Sequence, residues 1–564
     1  MGSMRNAHTV TQVRSAEAEL LAVLPPGALM QRAVHGLVSY VVGRLGRVHG
    51  ARIVVLAGPG DNGGDALWAG ARLAARGARV DAIAPSQTHQ EGTAALLAAG
   101  GRLHGPHPHP EPWRSGFSHP GSSRPGFSRS EPPDSQAPRP GSSRPDADGG
   151  VEAQDAALRA LLTEADLVLD GLLGIGGRGG LRPAHARLAA WAPPRRTVAV
   201  DLPSGVDADT GAVAGDAIRA SATVTFGTYK RGLWLMPGAA HTGPVELVDI
   251  GLTLPEPDLR SLDDADVRAA LPVPDEAASK YRRGVLGLLA GSDAYPGAAV
   301  LAVGGALRGG AGYLRVVAEG RADTASGEIR GRAGDLVRAV YPETVVTEIE
   351  AGDRAALLAA GRVQAWAVGP GLPSVASTRE LVDALVGTDV PLIADAGALD
   401  LLGELLAADR ARLHRRAAPV LVTPHEGEFG RFVARALGDE PAKIAEQLAA
   451  DRLGTVRRAA AETGAVVLLK GARTLVVEPS GAAWVNATGS AWLGTAGSGD
   501  VLTGLTGSLA AAGLPVGLAG AVGAHLHGRA AQRAAVRGRL PLAAHDLPDL
   551  LAETITALLM TAAD

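Results

Sequence analysis

Gly58-Pro-Gly-Asp-Asn-Gly-Gly-Asp-Ala-Leu67 follows the apolar run Arg52 to Ala57 and leads into the alanine- and leucine-rich stretch Ala66 to Arg76. Strand, glycine turn and helix in that order point to a parallel α/β sheet whose helix N-terminus offers free backbone amides to an anion. A second glycine loop ending on an aspartate, GTAGSGDVLTG at Gly494 to Gly504, lies near the other end of the chain. Each loop reads as a ligand site of its own, so two separate activities are expected.

Working outward, 564 residues exceed what one hydrophobic core organises, which implies two or three domains. A net charge of -4 leaves no electrostatic footprint for nucleic acid. The chain has no cysteine, which excludes disulfides and thiolate metal sites and suits a cytoplasmic location. No apolar signal-peptide core follows Met1, and the uncharged stretch Val501 to Gly528 is glycine- and alanine-rich and broken by Pro515, so it reads as buried helices and not a membrane span. Only four of the 54 basic residues are lysine, namely Lys230, Lys280, Lys443 and Lys470. A lysine kept in so arginine-rich a chain marks a place where a compact ammonium fits and a planar guanidinium does not.

Strand-like runs at Arg52 to Ala57, Val80 to Ala84, Asp166 to Asp170, Thr197 to Asp201, Ala222 to Phe226 and Val245 to Ile250 alternate with helical segments, the pattern of a doubly wound sheet. The alternation is interrupted between Gly101 and Gly150, where 11 Pro, 8 Gly and 9 Ser leave too little apolar surface to form a core. That stretch, about 104–150, is expected to be a disordered insertion. It repeats Pro-Gly-Ser-Ser-Arg-Pro at 120–125 and 140–145. Further strands at Val285 to Ala290, Tyr313 to Val317, Trp366 to Val368, Leu392 to Asp395, Val420 to Thr423 and Val466 to Lys470 predict a second α/β unit. The expected division is 1–255, a proline- and acid-rich connector at 256–278, and 279–564.

Asp61, Asn62, Gly63, Gly64 and Asp65 in the first loop are candidate ligand contacts, as are Gly174, Ile175, Gly176, Gly177, Arg178, Gly179 and Gly180 in a second anion-cradling loop. Asn62, Asp65, Asp170, Asp201 and Ser204 bring hard oxygen donors from three strand ends, a set suited to a cation and a sugar phosphate. In the C-terminal loop Asp500 stands in a first helical turn behind Gly497 to Gly499. A carboxylate there caps the helix or takes a proton from an attacking hydroxyl while backbone donors hold phosphoryl charge. Lys470 to Thr474 closes a strand and suits a nucleotide phosphate, and His425 sits in a Pro- and Gly-marked turn open to either a structural or a functional role.

The ordered segments Leu29 to Ala33, GPGDNGGDAL, DGLLGIGGRGG (170–180), DLPSGVDADTG (201–211) and TFGTYKRGL (225–233) resemble the NAD(P)H-hydrate epimerase family. Asp61 replaces that family's usual first asparagine, and Ile175 stands where threonine is common. The resemblance implies a potassium ion at Asn62, Asp170 and Ser204, with Asp201 contacting the hydrated nicotinamide and moving its proton.

Lys280 to Ala298, VGPGL (368–372), TPHEGEF (423–429), LLKGART (468–474) and GSGD (497–500) resemble the ribokinase-like NAD(P)H-hydrate dehydratases. This implies substrate contacts at Ala298, Gly371, His425 and Asp500. It implies nucleotide contacts at Lys470, Gly471, Ala472, Arg473 and Thr474, and at Ser490, Ala491, Trp492, Leu493, Gly494, Thr495, Ala496, Gly497, Ser498 and Gly499.

Together the two resemblances imply a Rossmann-like domain fused to a ribokinase-like α/β domain. Such a chain epimerises hydrated NADH or NADPH and dehydrates the S form with magnesium and ADP, ATP remaining open. Small molecules are the expected partners, with no nucleic acid and no membrane, and the chain is expected to form a homo-oligomer. The rival readings are a vitamin-alcohol kinase fused to a dinucleotide-binding module, and an N-terminal half that binds without catalysing.

Overall fold

The computed structural model describes residues 4–105, 147–177, 179–322 and 326–560. Most of the insertion expected at about 104–150 lies outside these residues. Its margins are the strand Arg102–His104 and the helix Ala147–Glu164.

The first sheet runs Arg102–His104, Arg79–Ile83, Arg52–Ala57, Leu167–Gly171, Thr197–Val200, Ala222–Phe226, Val245–Val248, with every neighbouring pair parallel. The inner strands 167–171, 197–200 and 222–226 are buried throughout, which is why they read as unbroken apolar runs instead of alternating ones. From Arg52–Ala57 the chain first winds to one side through residues 79–104 and then returns to add 167–248 on the other. The order therefore reverses between Arg52–Ala57 and Leu167–Gly171, where Ala57 pairs with Gly171. A doubly wound sheet opens its ligand crevice at that reversal, and both glycine loops of the first half emerge there.

The second sheet repeats the device. Val285–Leu289 is flanked by Tyr313–Ala322 on one side and Ala365–Val368 on the other, all parallel, and Leu392–Ala394, Val420–Val422 and Val466–Leu469 extend it. Its reversal lies between Val285–Leu289 and Ala365–Val368, where the Gly291 amide donates to the Pro370 carbonyl at 2.7 Å.

The second sheet does not stop at its own half. Beyond the antiparallel strands Leu475–Val477 and Ala483–Val485 it takes in Leu259–Ser261, then Arg5–His8, then Tyr229–Lys230. Residues 256–278, expected to be a connector, thus carry a strand and the helix Asp264–Ala270. Proline and acid mark the composition there, and the strand's two buried side chains, Leu259 and Ser261, are too few to register as a strand before a partner is known.

The glycine- and alanine-rich stretch after Val501 forms two helices, Ser498–Ala511 and Val516–Val536. Among the described residues no helix is long and apolar enough to cross a membrane. The Ser498–Ala511 helix lies almost backbone to backbone on Pro296–Ala306. A Cβ on Gly504 would stand 1.8 Å from the Ala302 carbonyl oxygen, and one on Gly305 2.0 Å from that of Val501. This contact sets the spacing between the helix that carries Ala298 and the one that carries Asp500. Gly504→Ala must part the two helices, and overpacking of this kind costs about 1–3 kcal/mol. The expected outcome is a lower urea midpoint; an unchanged midpoint would show that the helices have room to spare.

Candidate active sites

At the first reversal, the helix Asp61–Ala74 begins after Gly60, which supplies no side-chain cap, so its leading amides are left for a ligand. Two glycines make the turn possible. A Cβ on Gly58 would meet the Leu172 carbonyl oxygen at 1.9 Å, and one on Gly63 the Gly58 oxygen at 2.1 Å. Asp61, Asn62, Asp65, Asp201 and Gly174 to Gly177 line one cavity of about 480 Å³. Gly63 and Gly64 instead pack inward, Gly64 towards His89 and Met30, and Gly180 faces the Ala214 carbonyl. Gly179 is not part of the cavity wall, and Arg178 lies outside the described residues.

Asn62, in the wall of this crevice, and Ser204, bonded to Asp170 behind it, meet at the Leu173 carbonyl. Asp170 is fully buried and accepts from Ser204 Oγ at 2.7 Å, Ser204 N at 2.8 Å and Leu172 N at 3.3 Å. Burial outweighs these bonds and pushes its carboxyl up to about 6. The Asn62 amide donates to the Leu173 carbonyl at 3.0 Å, while its Oδ1 is buried with no partner.

Asp201 has φ +65°, unusual for a residue with a side chain, at the end of its strand. Its Oδ1 accepts from Thr225 Oγ1 at 3.0 Å, from Phe226 N at 3.2 Å and from the Lys230 ammonium. Lys230 is itself buried and donates also to the Phe226 carbonyl at 2.9 Å and to Thr225 Oγ1 at 3.1 Å. Asp65 is buried with Oδ1 unpartnered, and burial, reinforced by Asp201, Asp61 and Glu17, holds its carboxyl well above the usual range.

Arg14 and Glu17 of the helix Val10–Leu21 complete the wall. Sequence reasoning missed both, since a short polar helix carries no site signature. Lys230 had a signal in the scarcity of lysine, yet its partner became visible only in the fold.

The second site gathers at the carboxyl ends of Val420–Val422 and Val466–Leu469. A cavity of about 410 Å³ is lined by Lys470, Gly471, Ala472, Thr474, Ser490, Ala491, Leu493, Gly494, Ser498 and Gly499, joined by His425, Leu502 and His527. Not every expected nucleotide contact reaches it. Arg473 turns away to donate to the Ala487 carbonyl at 2.9 Å, Trp492 is exposed, and Thr495, Ala496 and Gly497 are not in the wall. Gly497, at φ +86°, turns the chain into the Ser498–Ala511 helix without a side-chain cap. His425 caps the helix Glu426–Leu437, its Nδ1 accepting from Gly427 N at 3.1 Å, so it is structural and cavity-lining at once.

Asp500 stands in the first turn of its helix. Burial, with Asp395 and Glu428 adding repulsion and Lys470 opposing them, pushes its carboxyl up to about 7. Lys470 Nζ donates to Asp395 Oδ1 at 2.8 Å and stands 3.6 Å from Glu428 Oε2. Ala298 and Gly371 meet at the second reversal: Gly371 has φ +69°, and a Cβ on it would sit 2.7 Å from that of Ala298. Leu301, one turn beyond Ala298, packs against Gly497. His527 is buried, and burial lowers its imidazole to about 4, which keeps it neutral. Sequence reasoning noted the Glu428 carboxylate beside His425 but passed over Asp395 and His527 as site residues, because each sits in an ordinary strand end or helix.

Residues 286–556 match the family described as NAD(P)H-hydrate dehydratase, and residues 26–115 and 143–232 match that described as YjeF-related protein N-terminus. The chain is 38% identical over 536 residues to the bifunctional NAD(P)H-hydrate repair enzyme Nnr of Mycobacterium leprae, covering 94% of each protein. It is also 38% identical over 529 residues to that of Mycobacterium tuberculosis, covering 92% of each. A solved ADP/ATP-dependent NAD(P)H-hydrate dehydratase from Bacillus subtilis, co-crystallized with ATP/Mg2+, is 31% identical and covers 53% of this chain and 98% of its own, with a TM-score of 0.44.

The Asp500 environment has a cost in stability. Because its carboxyl titrates near 7 in the folded chain and near 4 unfolded, the native state binds the extra proton between those values, so stability falls as pH rises from about 4 to 7. Asp500→Asn has no such proton to lose. It is expected to be more stable than wild type at pH 8 by on the order of 2–4 kcal/mol, the gap closing towards pH 4. Parallel pH–stability curves for the two proteins would contradict this.

Proposed function

The chain belongs to the bifunctional NAD(P)H-hydrate repair enzymes, and from that membership we propose how its residues divide the two reactions. It is an enzyme with two activities, epimerising the R and S forms of hydrated NADH or NADPH and dehydrating the hydrate at the expense of a nucleotide. We assign the first activity to the crevice around Asp201 and the second to that around Asp500.

Inverting the hydrated carbon requires a bond to it to break and re-form. As the hydroxyl proton leaves, the ring C–N bond opens to an aldehyde and its electron pair goes to the nitrogen, which re-adds to the other face as the proton returns. Asp201 is suited to moving that proton. The three donors on the Asp201 carboxylate, Thr225, Phe226 N and Lys230, all fall on Oδ1, so Oδ2 is the oxygen left for the substrate. Gly174, Gly176, Gly177 and the uncapped amides after Gly60 would hold the phosphates. Asn62 Oδ1, Asp170 and Ser204 suit potassium, because an orphaned buried amide oxygen, one carboxylate and a hydroxyl make a hard donor set of low charge. When bound, the ion would fix the 58–65 and 171–177 loops against one another.

The dehydratase reading is carried by one observation: Asp500, at an uncapped helix N-terminus beside the nucleotide-sized cavity, has a carboxyl poised near neutrality. We take the co-substrate to be ADP with magnesium. Asp500 accepts the hydroxyl proton as the substrate oxygen bonds to the β-phosphorus and AMP departs. Phosphate then leaves the carbon with its electron pair while the neighbouring carbon loses a proton, restoring the double bond and giving NAD(P)H, AMP and phosphate. Amides at the start of the Ser498–Ala511 helix stabilise the transferring phosphoryl group. A cytoplasmic location and homo-oligomeric assembly belong to the same proposal.

Potassium is tested by replacing it with sodium and, separately, by Asp170→Ala. Both are expected to slow epimer exchange about tenfold or more while dehydration stays within about twofold, on the scale of a lost positioning contact. Equal loss of both activities would refute an ion confined to the first site.

The division of roles is tested on an equilibrated mixture of S and R hydrates of NADH with ADP and magnesium, followed by near-ultraviolet absorbance. Wild type converts nearly everything, and its dehydration rate rises with pH up to about 7 and then levels, since the base must be ionised. Asp500→Ala is expected to lose about a hundredfold or more in recovery with epimer exchange intact. Asp201→Ala is expected to give a fast phase that halts when the S form is consumed. Full recovery in the first variant, or a single uninterrupted phase in the second, refutes the assignment.

A further inference from the structure

Asp395 stands behind the wall of the second cavity, bonded to its Lys470 but not itself lining it. It ends the strand Leu392–Ala394 and is only 2% exposed. One oxygen takes Lys470 Nζ at 2.8 Å, and the other takes Thr503 Oγ1, also at 2.8 Å. Thr503 is buried one turn beyond Asp500 on the same helix. One carboxylate therefore ties together two things, the lysine that opens the Lys470 to Thr474 loop and the helix turn that presents Asp500.

The surrounding backbone is built around this position. The next residue, Ala396, is held at φ +46° and ψ −123°, a strained conformation for a side-chain-bearing residue, of the kind tolerated when the surroundings over-determine it. A Cβ on Gly369 would fall 1.8 Å from the Asp395 carbonyl oxygen, so the strand end is pinned from the other side as well. A Cβ on Gly499 would stand 3.3 Å from Lys470 Nζ and 3.7 Å from Asp395 Oδ2, so the helix start lies close against the pair.

We propose that Asp395 is a positioning residue of the dehydratase: it fixes Lys470 at a set distance from Asp500 and clamps the first turn of the Asp500 helix, so that the ammonium serves the phosphoryl group and does not close on the base. The proposal rests on the reading of Asp500 as that base. The charged and titratable groups around Asp500 are Asp395 from the strand end, Lys470 from the neighbouring strand, Glu428 and His425 from the Glu426–Leu437 helix start, and neutral His527 from Val516–Val536. Of these, Asp395 is the one bonded both to Lys470 and to the helix that carries Asp500. Without its charge, Lys470 is left to Glu428 and Asp500. The Asp500 carboxylate is then stabilised by the freed ammonium and becomes a weaker base.

The test compares kcat against pH for dehydration, with saturating ADP and magnesium, in wild type, Asp395→Asn, Thr503→Val and Asp500→Asn. For Asp395→Asn, the acid limb is expected to move at least one pH unit lower and plateau kcat to fall about tenfold or more, with KM for the hydrate within about threefold. A loosened fold would not shift the limb in that direction. Thr503→Val removes the clamp but no charge, so it should leave the limb in place and lower kcat about threefold or more; this variant tests the proposal even if Asp395→Asn misfolds. A limb and plateau unchanged in Asp395→Asn, or an unchanged kcat in Thr503→Val, overturns the proposal. Loss of the limb in Asp500→Asn, with the other variants as expected, supports it. Persistence of the limb in Asp500→Asn overturns the base assignment and the proposal together, whereas loss of the limb there with no shift in Asp395→Asn overturns the proposal alone.

Discussion

Each half of the chain sets one lysine against one buried aspartate at the carboxyl ends of its parallel strands, the buried Lys230 with Asp201 and the half-buried Lys470 with Asp395. Taking two charges out of water costs several kcal/mol per ion, of the order of ~5, unless each finds its partner and its remaining hydrogen bonds. The fold around each pair is arranged to meet that demand. Lys230 places its three protons on Asp201 Oδ1, Thr225 Oγ1 and the Phe226 carbonyl, which a three-donor ammonium satisfies and a planar guanidinium does not. Among the other lysines, Lys280 lies over the rings of Tyr281 and Tyr313, and Lys443 is exposed on a helix.

The first of these pairs also links the halves. Lys230 belongs to the short strand Tyr229–Lys230, paired with Ala7 and His8, which in turn belong to the strand beside Leu259–Ser261 of the second sheet. The lysine of the first crevice therefore belongs to a strand that is hydrogen-bonded, strand by strand, into the second sheet. Asp258 reinforces the seam: Arg231 from the first half and Arg457 from the second both bond its carboxylate, and together they hold it below the usual range against the opposing effect of burial. The helix Val10–Leu21, which delivers Arg14 and Glu17 to the first cavity, starts directly from this shared strand.

The two crevices treat carboxyls differently. In the first, Asp65 is buried among other acids and favours its neutral form, while Asp201 next to it is neutralised by a lysine. The two carboxyls thus lie in one cavity in different surroundings. In the second, Lys470 is turned towards Asp395, and Asp500 is left with a carboxyl near neutrality. A shared design, strand-end aspartate with lysine, thus places the lysine on the crevice aspartate in one case and on a neighbour of it in the other.

What the sequence by itself determined was the repeated strand, glycine loop and helix, hence two α/β units and the two loops on which ligands are expected to sit. Parallel strands buried on both faces must be continuous apolar runs, and glycine is obligatory where carbonyls approach as closely as at Gly58 and Gly63, so both signals are local and legible in one dimension. The family motifs carried the rest of that reading. Only the tertiary structure decided the remainder. Leu259–Ser261 joined a sheet because Ala483–Val485 offered an edge, and Arg14 and Glu17 reached a cavity because their helix hangs from that edge. Arg473 turned to the Ala487 carbonyl while its neighbours faced the nucleotide-sized cavity. Asp395 found Lys470 75 residues away and Thr503 108 residues away. Charge pairing depends on distance and burial, and neither is written in the spacing of residues along the chain.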